Sequence, residues 1–230
     1  MKKRLFSVLI LTMVICLAFP AFAVGADSPH IRMSVDEITF FPDVHQHLVS
    51  TSKIDGVAVE TYEAEVSCDF YANMDGELIP IENGVRPQST ISEDMEYLSR
   101  AVKWVGTLTY TKTIIEGHTC YTPSGFSHKL TVQDNNFVLT KLTANGGATG
   151  KGFDTENNNL KGTYSTRGKT LSVSNPTSGT KYSRSLSTRY AYSKDSGTAI
   201  INTYGTFKYY RISETNQPIH TSPEFEVSLL

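Results

Sequence analysis

One tryptophan and three cysteines serve a chain of 230 residues, in which 21 Lys+Arg nearly balance 23 Asp+Glu. Without a basic excess the chain lacks the electrostatic footprint of a general nucleic-acid binder, and no nucleic-acid partner is expected. Past the N-terminus no apolar run approaches the roughly 18 residues that a membrane span needs, so none is expected in the body of the protein. Catalytic signatures are missing as well: there is no Gly-x-Ser-x-Gly, no His-Glu-x-x-His and no Cys-x-x-Cys. Gly146-Gly147-Ala148-Thr149-Gly150-Lys151 is rich in glycine and ends in lysine, but it lacks the spacing of a phosphate-cradling loop. The balance falls against an enzyme, and no cofactor is implied.

What the N-terminus does contain is an export signal. Lys2, Lys3 and Arg4 precede a 15-residue apolar run from Leu5 to Phe19, and Ala21-Phe22-Ala23 fits a small-x-small cleavage site. Residues 1–23 therefore read as a signal peptide, and residues 24–230 as a secreted, soluble protein. Loss of the three basic residues leaves 18 cations against 23 acids, a formal charge of −5. Cys16 leaves with the signal. Cys68 and Cys120 then enter a non-reducing compartment, which predicts a disulfide, with two buried thiols as the alternative. Such a bridge, closing a loop of about 53 residues, contributes about 4 kcal/mol on the chain-entropy model. Two cysteines 52 residues apart invite comparison with immunoglobulin domains. Trp104, however, follows Cys68 by 36 residues, and His118 stands where the tyrosine corner belongs, so an antibody-type domain is not expected.

Period two dominates the rest. Tyr62, Ala64, Val66, Cys68, Phe70 and Ala72 occupy one parity, with polar residues and Tyr71 on the other, which predicts a half-buried strand with Cys68 inward. Val57 and Val59 fall on the opposite parity, so a bulge or a separate element is expected near Gly56. Val102, Trp104, Gly106, Leu108, Tyr110 and Ile114 repeat the pattern and place the tryptophan in the core. Whether Cys120 shares that face depends on Glu116-Gly117: a continuous strand points it inward, a two-residue hairpin sets it opposite Thr113. Turn chemistry then punctuates short β signals at Asp134-Asn135-Asn136, Asn145-Gly146-Gly147, Arg167-Gly168, Asn175-Pro176 and Asp195-Ser196-Gly197. Low in apolar residues, Asn145 to Arg167 reads as long turns. One short helix is predicted near residues 91–100, where Thr90 caps a capping box and Ile91, Met95 and Leu98 share a face. The expected fold is mainly β, an antiparallel sandwich or partly open barrel. An N-terminal β unit (24–88) is followed by the helix and a C-terminal β-sandwich unit (89–230), either as two units or as one continuous domain.

Three constellations bear on function. His45 and His47 share a face if they lie on a strand, and Asp43 joins them, the arrangement of a metal site. Asp154 to Asn159 places oxygen ligands at alternate positions, but without the glycine and closing acid of a calcium loop it reads as a hairpin turn. The C-terminal strands carry Tyr190 and Tyr192 on one face, and Tyr204 and Tyr210 on another, with Arg189, Lys208 and Arg211 interleaved. Tyrosines on an exposed sheet stack on sugar rings or anchor protein partners, whereas buried ones are ordinary core. The expected function is non-catalytic recognition of a surface polysaccharide or an extracellular protein. The alternatives are a secreted hydrolase or metal protein using His45 and His47, and a bacteriocin- or toxin-like effector.

Overall fold

The computed structural model describes residues 45–54, 57–73, 75–81 and 99–229, together with two short strands, β1 (Ser34–Val35) and β2 (Ile38–Thr39), that pair with each other. Residues 1–23 of the expected signal, Asp43 and residues 91–98 of the expected helix lie outside the described residues. Ser99 and Arg100, at the end of that expected helix, are strand.

Period two is realised as one antiparallel sheet of 12 strands that does not close on itself. Its first layer holds β3 (His45–Ile54), β4 (Val57–Ala72), β5 (Leu78–Ile81), β6 (Ser99–Ile115) and β7 (His118–Val132). The second holds β8 (Phe137–Asp154), β9 (Leu160–Ser174), β12 (Ile200–Arg211), β13 (His220–Thr221) and β14 (Phe225–Leu229). β10 (Lys181–Ser185) extends the first layer along β7. β11 (Tyr190–Ser193) pairs with both β7 and β8, so four residues carry the hydrogen-bonded connection from one layer to the other. The result is sandwich-like, with strands before and after residue 88 in one sheet: β4 runs beside β6 from Glu60↔Lys112 to Ala72↔Ser99.

The predicted faces are buried as far as Tyr110, whereas Ile114, expected inward, is 70% exposed beside the turn that follows β6. Ala64, Val66, Cys68, Phe70 and Ala72 of β4 and Val102, Trp104 and Leu108 of β6 are buried against Ile201, Phe207, Phe225 and Val227 of the other layer. Trp104 stacks on Phe225 with ring centres 4.5 Å apart, and Phe70 meets Phe207 edge-on at 5.4 Å. The indole needs Gly106 beneath it, where a Cβ would stand 2.3 Å from the Trp104 ring. Val57 and Val59 do not break β4; the bulge lies in its partner β3, between Leu48 and Ser50.

Glu116 and Gly117, at φ 50° and 81°, form the two-residue hairpin turn joining β6 to β7. Positive φ at both positions matches the strand twist, and it sets Cys120 opposite Thr113. Cys68 lies opposite Trp104, nine positions away along β6, so at about 3.3 Å per residue the two sulfurs are separated by about 30 Å. A disulfide needs Cα atoms within about 7 Å, and the expected bridge is therefore not formed. Both residues are buried with their thiols intact. The expectation of long turns over 145–167 also fails. β8 continues through Asn145-Gly146-Gly147 and β9 through Arg167-Gly168, with the turn at 155–159. Gly146 is small because the Phe126 ring of the other layer rests on it, 2.4 Å from where a Cβ would be, and not because the chain turns there.

A polar chain crosses this apolar interior. The Trp104 Nε1–H donates to His128 Nδ1 at 3.0 Å, His128 Nε2 meets the Thr203 hydroxyl at 2.8 Å, and that hydroxyl donates to the Asn145 carbonyl at 2.9 Å. With Nδ1 an acceptor and the hydroxyl hydrogen spent on Asn145, the ring is neutral and carries its proton on Nε2. His128 is fully buried, and burial pushes its pKa down to about 3.

Between pH 6.5 and about 3 the unfolded chain binds a proton at His128 that the folded chain does not, so stability is complete above pH 6.5 and falls as acid is added. Denaturant unfolding across this range should show His128→Gln losing less stability with acid than the native protein, by up to about 1.4 kcal/mol per pH unit. Protein isolated without reductant and denatured should titrate with reactive thiols at both Cys68 and Cys120; no reactive thiol would restore the disulfide.

Candidate functional site

At one end of the sandwich the start of β7 beside the β6–β7 turn, the paired ends of β8 and β9, and a 3-10 turn (Lys194–Ser196) come together. Between them opens a cleft of about 410 Å³ on the outer face of the sheet. Its size lies within the range of about 300–1,000 Å³ common to small-ligand sites.

Register explains its walls. Across β8 and β9 the pairs Lys151↔Thr163 and Phe153↔Lys161 put four side chains on one face, with the glycine pair Gly152↔Gly162 between them facing the other way. Phe153, 2% exposed, joins Ile115, Cys120 and Ala191 in a small second apolar cluster under the cleft. Gly152 lets β11 cross closely: a Cβ there would stand 2.2 Å from the Ala191 carbonyl oxygen. On the opposite face the Tyr164 ring lies over Gly162, and its hydroxyl donates to the Leu160 carbonyl at 2.7 Å.

Ionic contacts tie these segments together. Lys161 Nζ lies 2.8 Å from Glu116 and 5.6 Å from the centre of the Phe153 ring, which joins β9 to the β6–β7 turn above the cleft floor. His118 Nδ1 lies 3.2 Å from Asp195 and holds the start of β7 to the 3-10 turn. Among the described residues Lys151 makes no ion pair. On the flank of the site, Asp154 accepts from the Glu156 backbone N–H at 3.1 Å, from Asn157 Nδ2 at 2.7 Å and from Arg189 Nε at 3.2 Å. The oxygens that resembled a calcium loop are thus spent on ordering the β8–β9 turn.

The polar groups do not assemble a nucleophile. The Ser196 hydroxyl donates to the Ser193 carbonyl at 2.8 Å and not to His118. Cys120 lies two residues from His118, but its thiol donates to the His118 carbonyl at 3.6 Å rather than to the ring. Burial, reinforced by the charge of Asp195, raises its pKa to about 11, so it remains a thiol at neutral pH. Among the described residues no hydroxyl or thiol hydrogen-bonds the His118 ring.

The residues singled out from sequence are dispersed. Tyr192 is fully buried, its hydroxyl 2.6 Å from Thr166 and donating to the Ala148 carbonyl at 3.3 Å; it is a core residue where β11 joins the layers. Tyr190 is half-buried and stacks on Tyr164, with centres 4.4 Å apart and planes 8° from parallel, while Arg189 covers it at 5.3 Å. Tyr204 is exposed and Tyr210 half-buried on the outer face of β12, six residues or about 20 Å apart. His45 and His47 share the exposed outer side of β3; His47 Nε2 lies 3.4 Å from Glu63, and Asp43 lies outside the described residues. Among the described residues no three His, Cys, Asp or Glu side chains gather as a metal site. None of these residues lines the cleft. Its own residues, Lys151, Phe153, Lys161 and Asp195 among them, come from four separate segments. The available sequence signal was the alternation of Gly, Lys and Thr over 149–163, which reads as loop unless the two strands are known to pair.

Comparison of the chain with protein-family models, with curated proteins and with solved structures finds no match.

Close packing of β11 over Gly152 is open to direct test. Gly152→Ala should lower the stability of the fold by about 1–3 kcal/mol, read from chemical denaturation, because the backbone at Ala191 has nowhere to retreat. An unchanged midpoint would mean that the crossing is looser than the geometry has it.

Proposed function

We propose that the chain is an exported, non-catalytic recognition protein that holds a polysaccharide ligand in the cleft at this end of the sandwich. One observation carries this reading. In a preformed cleft with an apolar floor and convergent polar groups, no hydroxyl or thiol among the described residues hydrogen-bonds the His118 ring, and the thiol of Cys120 is held protonated. Such a lining orients and retains a polyhydroxylated ligand through lysine, histidine, serine and threonine donors. Export rests on the N-terminal Lys-Lys-Arg, apolar and Ala-Phe-Ala segments. Among the described residues no helix is long and apolar enough to cross a membrane.

A second contact surface has its own observation, the exposure of Tyr204 on the outer face of β12. Co-sedimentation of purified protein with insoluble cell-wall and polysaccharide preparations separates the two. Thr163→Trp, which fills the cleft from its rim, should abolish binding, while Tyr204→Ala/Tyr210→Ala should retain it. The reverse pattern would move the contact to the outer face of β12. No sedimentation with any preparation would overturn polysaccharide recognition.

A further inference from the structure

Resting on the recognition reading, we infer that the cleft takes a carboxylate-bearing sugar, and that Glu116 occupies its anion position when no ligand is bound. Lys161 is the focus. Its ammonium stands over the Phe153 ring at 5.6 Å and is bound by the Glu116 carboxylate at 2.8 Å, so a carboxylate already sits at the mouth against this cation. Both side chains are more than half in solvent or close to it, 61% for Lys161 and 50% for Glu116, so an incoming anion reaches the same ammonium. Lys151 stands two strand positions from Phe153 on the same face and makes no ion pair among the described residues. The cleft therefore offers one cation, Lys151, that makes no ion pair among the described residues, and a second, Lys161, whose partner is exposed enough to be exchanged.

The backbone gives an independent indication that Glu116 is not placed for the turn alone. At φ 50° it occupies a left-handed position that hairpin turns of this kind fill with Asn, Asp or Gly. Glutamate gains nothing locally from this conformation. Its reach to Lys161 is what its longer side chain adds, and a glutamate in this place spans from the turn to β9. Binding is then an exchange of one carboxylate for another, with sugar hydroxyls meeting His118, Asp195 and Thr163 on the remaining walls. An exchange of this kind makes affinity sensitive to salt and selective for acidic over neutral sugar.

The test uses trigalacturonate and its fully methyl-esterified form as probes, with affinity measured by calorimetry on the native protein and on surface variants checked for an unchanged thermal midpoint. The acid should bind and the ester should bind at least about tenfold more weakly. Lys161→Gln and Lys151→Gln should each weaken the acid toward the ester. Glu116→Gln should tighten it by up to about fivefold, since it removes an exposed ion pair that the ligand must displace. Glu116→Gly removes the same carboxylate while relieving the positive φ, and it should tighten binding equally; this guards against a fold effect of either variant alone. Equal affinity for acid and ester would overturn the acidic-sugar inference and leave recognition standing. Unchanged affinity in both Glu116 variants would overturn the competition. If neither probe binds while the protein still sediments with a polysaccharide preparation, the inference fails alone; if nothing binds, the recognition reading fails with it.

Discussion

A neutral histidine inside the sandwich governs how the two layers can meet. His128 has no water to turn to, and its two nitrogens are matched to one donor in its own layer and one acceptor in the other. Trp104 supplies the donor and Thr203 the acceptor, whose own hydrogen is passed to the Asn145 carbonyl. A slip of either layer by one residue would exchange core and solvent faces and leave a buried imidazole and indole unpartnered, at about 1–3 kcal/mol for each group. Apolar packing alone specifies less, because Leu, Val and Phe accept many neighbours. The chain Trp104–His128–Thr203–Asn145 accepts one arrangement.

Glycine acts in the same direction. Gly106 gives the Trp104 indole its bed, Gly146 receives Phe126, and Gly152 admits the crossing of β11. At these positions the residue is chosen for the absence of a side chain where another part of the molecule must pass within van der Waals contact. Gly152 and Gly162 pair across β8 and β9 and face away from the cleft, whose walls come from the flanking pairs Lys151↔Thr163 and Phe153↔Lys161 on the other face.

That use of glycine also marks where the sequence could be read and where it could not. β4 and β6 were legible because alternation is a local property, and each inward residue from Ala64 to Ala72 and from Val102 to Leu108 announces its face by parity. Asn145-Gly146-Gly147 misled because glycine that accommodates an aromatic ring from another layer is indistinguishable, in one dimension, from glycine that turns the chain. The cysteines misled for a related reason. Their pairing depended on the Glu116-Gly117 turn, and one tight hairpin reversed the face that parity would have given Cys120. The interleaved tyrosines were correctly placed on strands, yet Tyr192 turned inward where β11 bridges the layers, a fact set by partners 40 and 71 residues earlier, Gly152 and Tyr121. The cleft was beyond reach, since its residues converge only after four segments have found their neighbours.

β11 has a consequence for the order in which the molecule comes together. β7 and β8 follow one another in the chain, separated by a turn of four residues, yet they do not pair; both are paired to β11, which is made after all of β9 and β10. As the chain is synthesised from its N-terminus, β3, β4, β6 and β7 can join as a meander of nearest neighbours, each strand meeting one already made. β8 has no such strand to meet: it forms a hairpin with β9, made next, and holds its other edge open until residues 190–193 and then β12 are available. The contacts that unite the layers thus come last and span the longest stretches of chain, the pattern associated with slow folding and with exposed edges in the interval. The two layers therefore become one sheet only once residues 190–211 have been made.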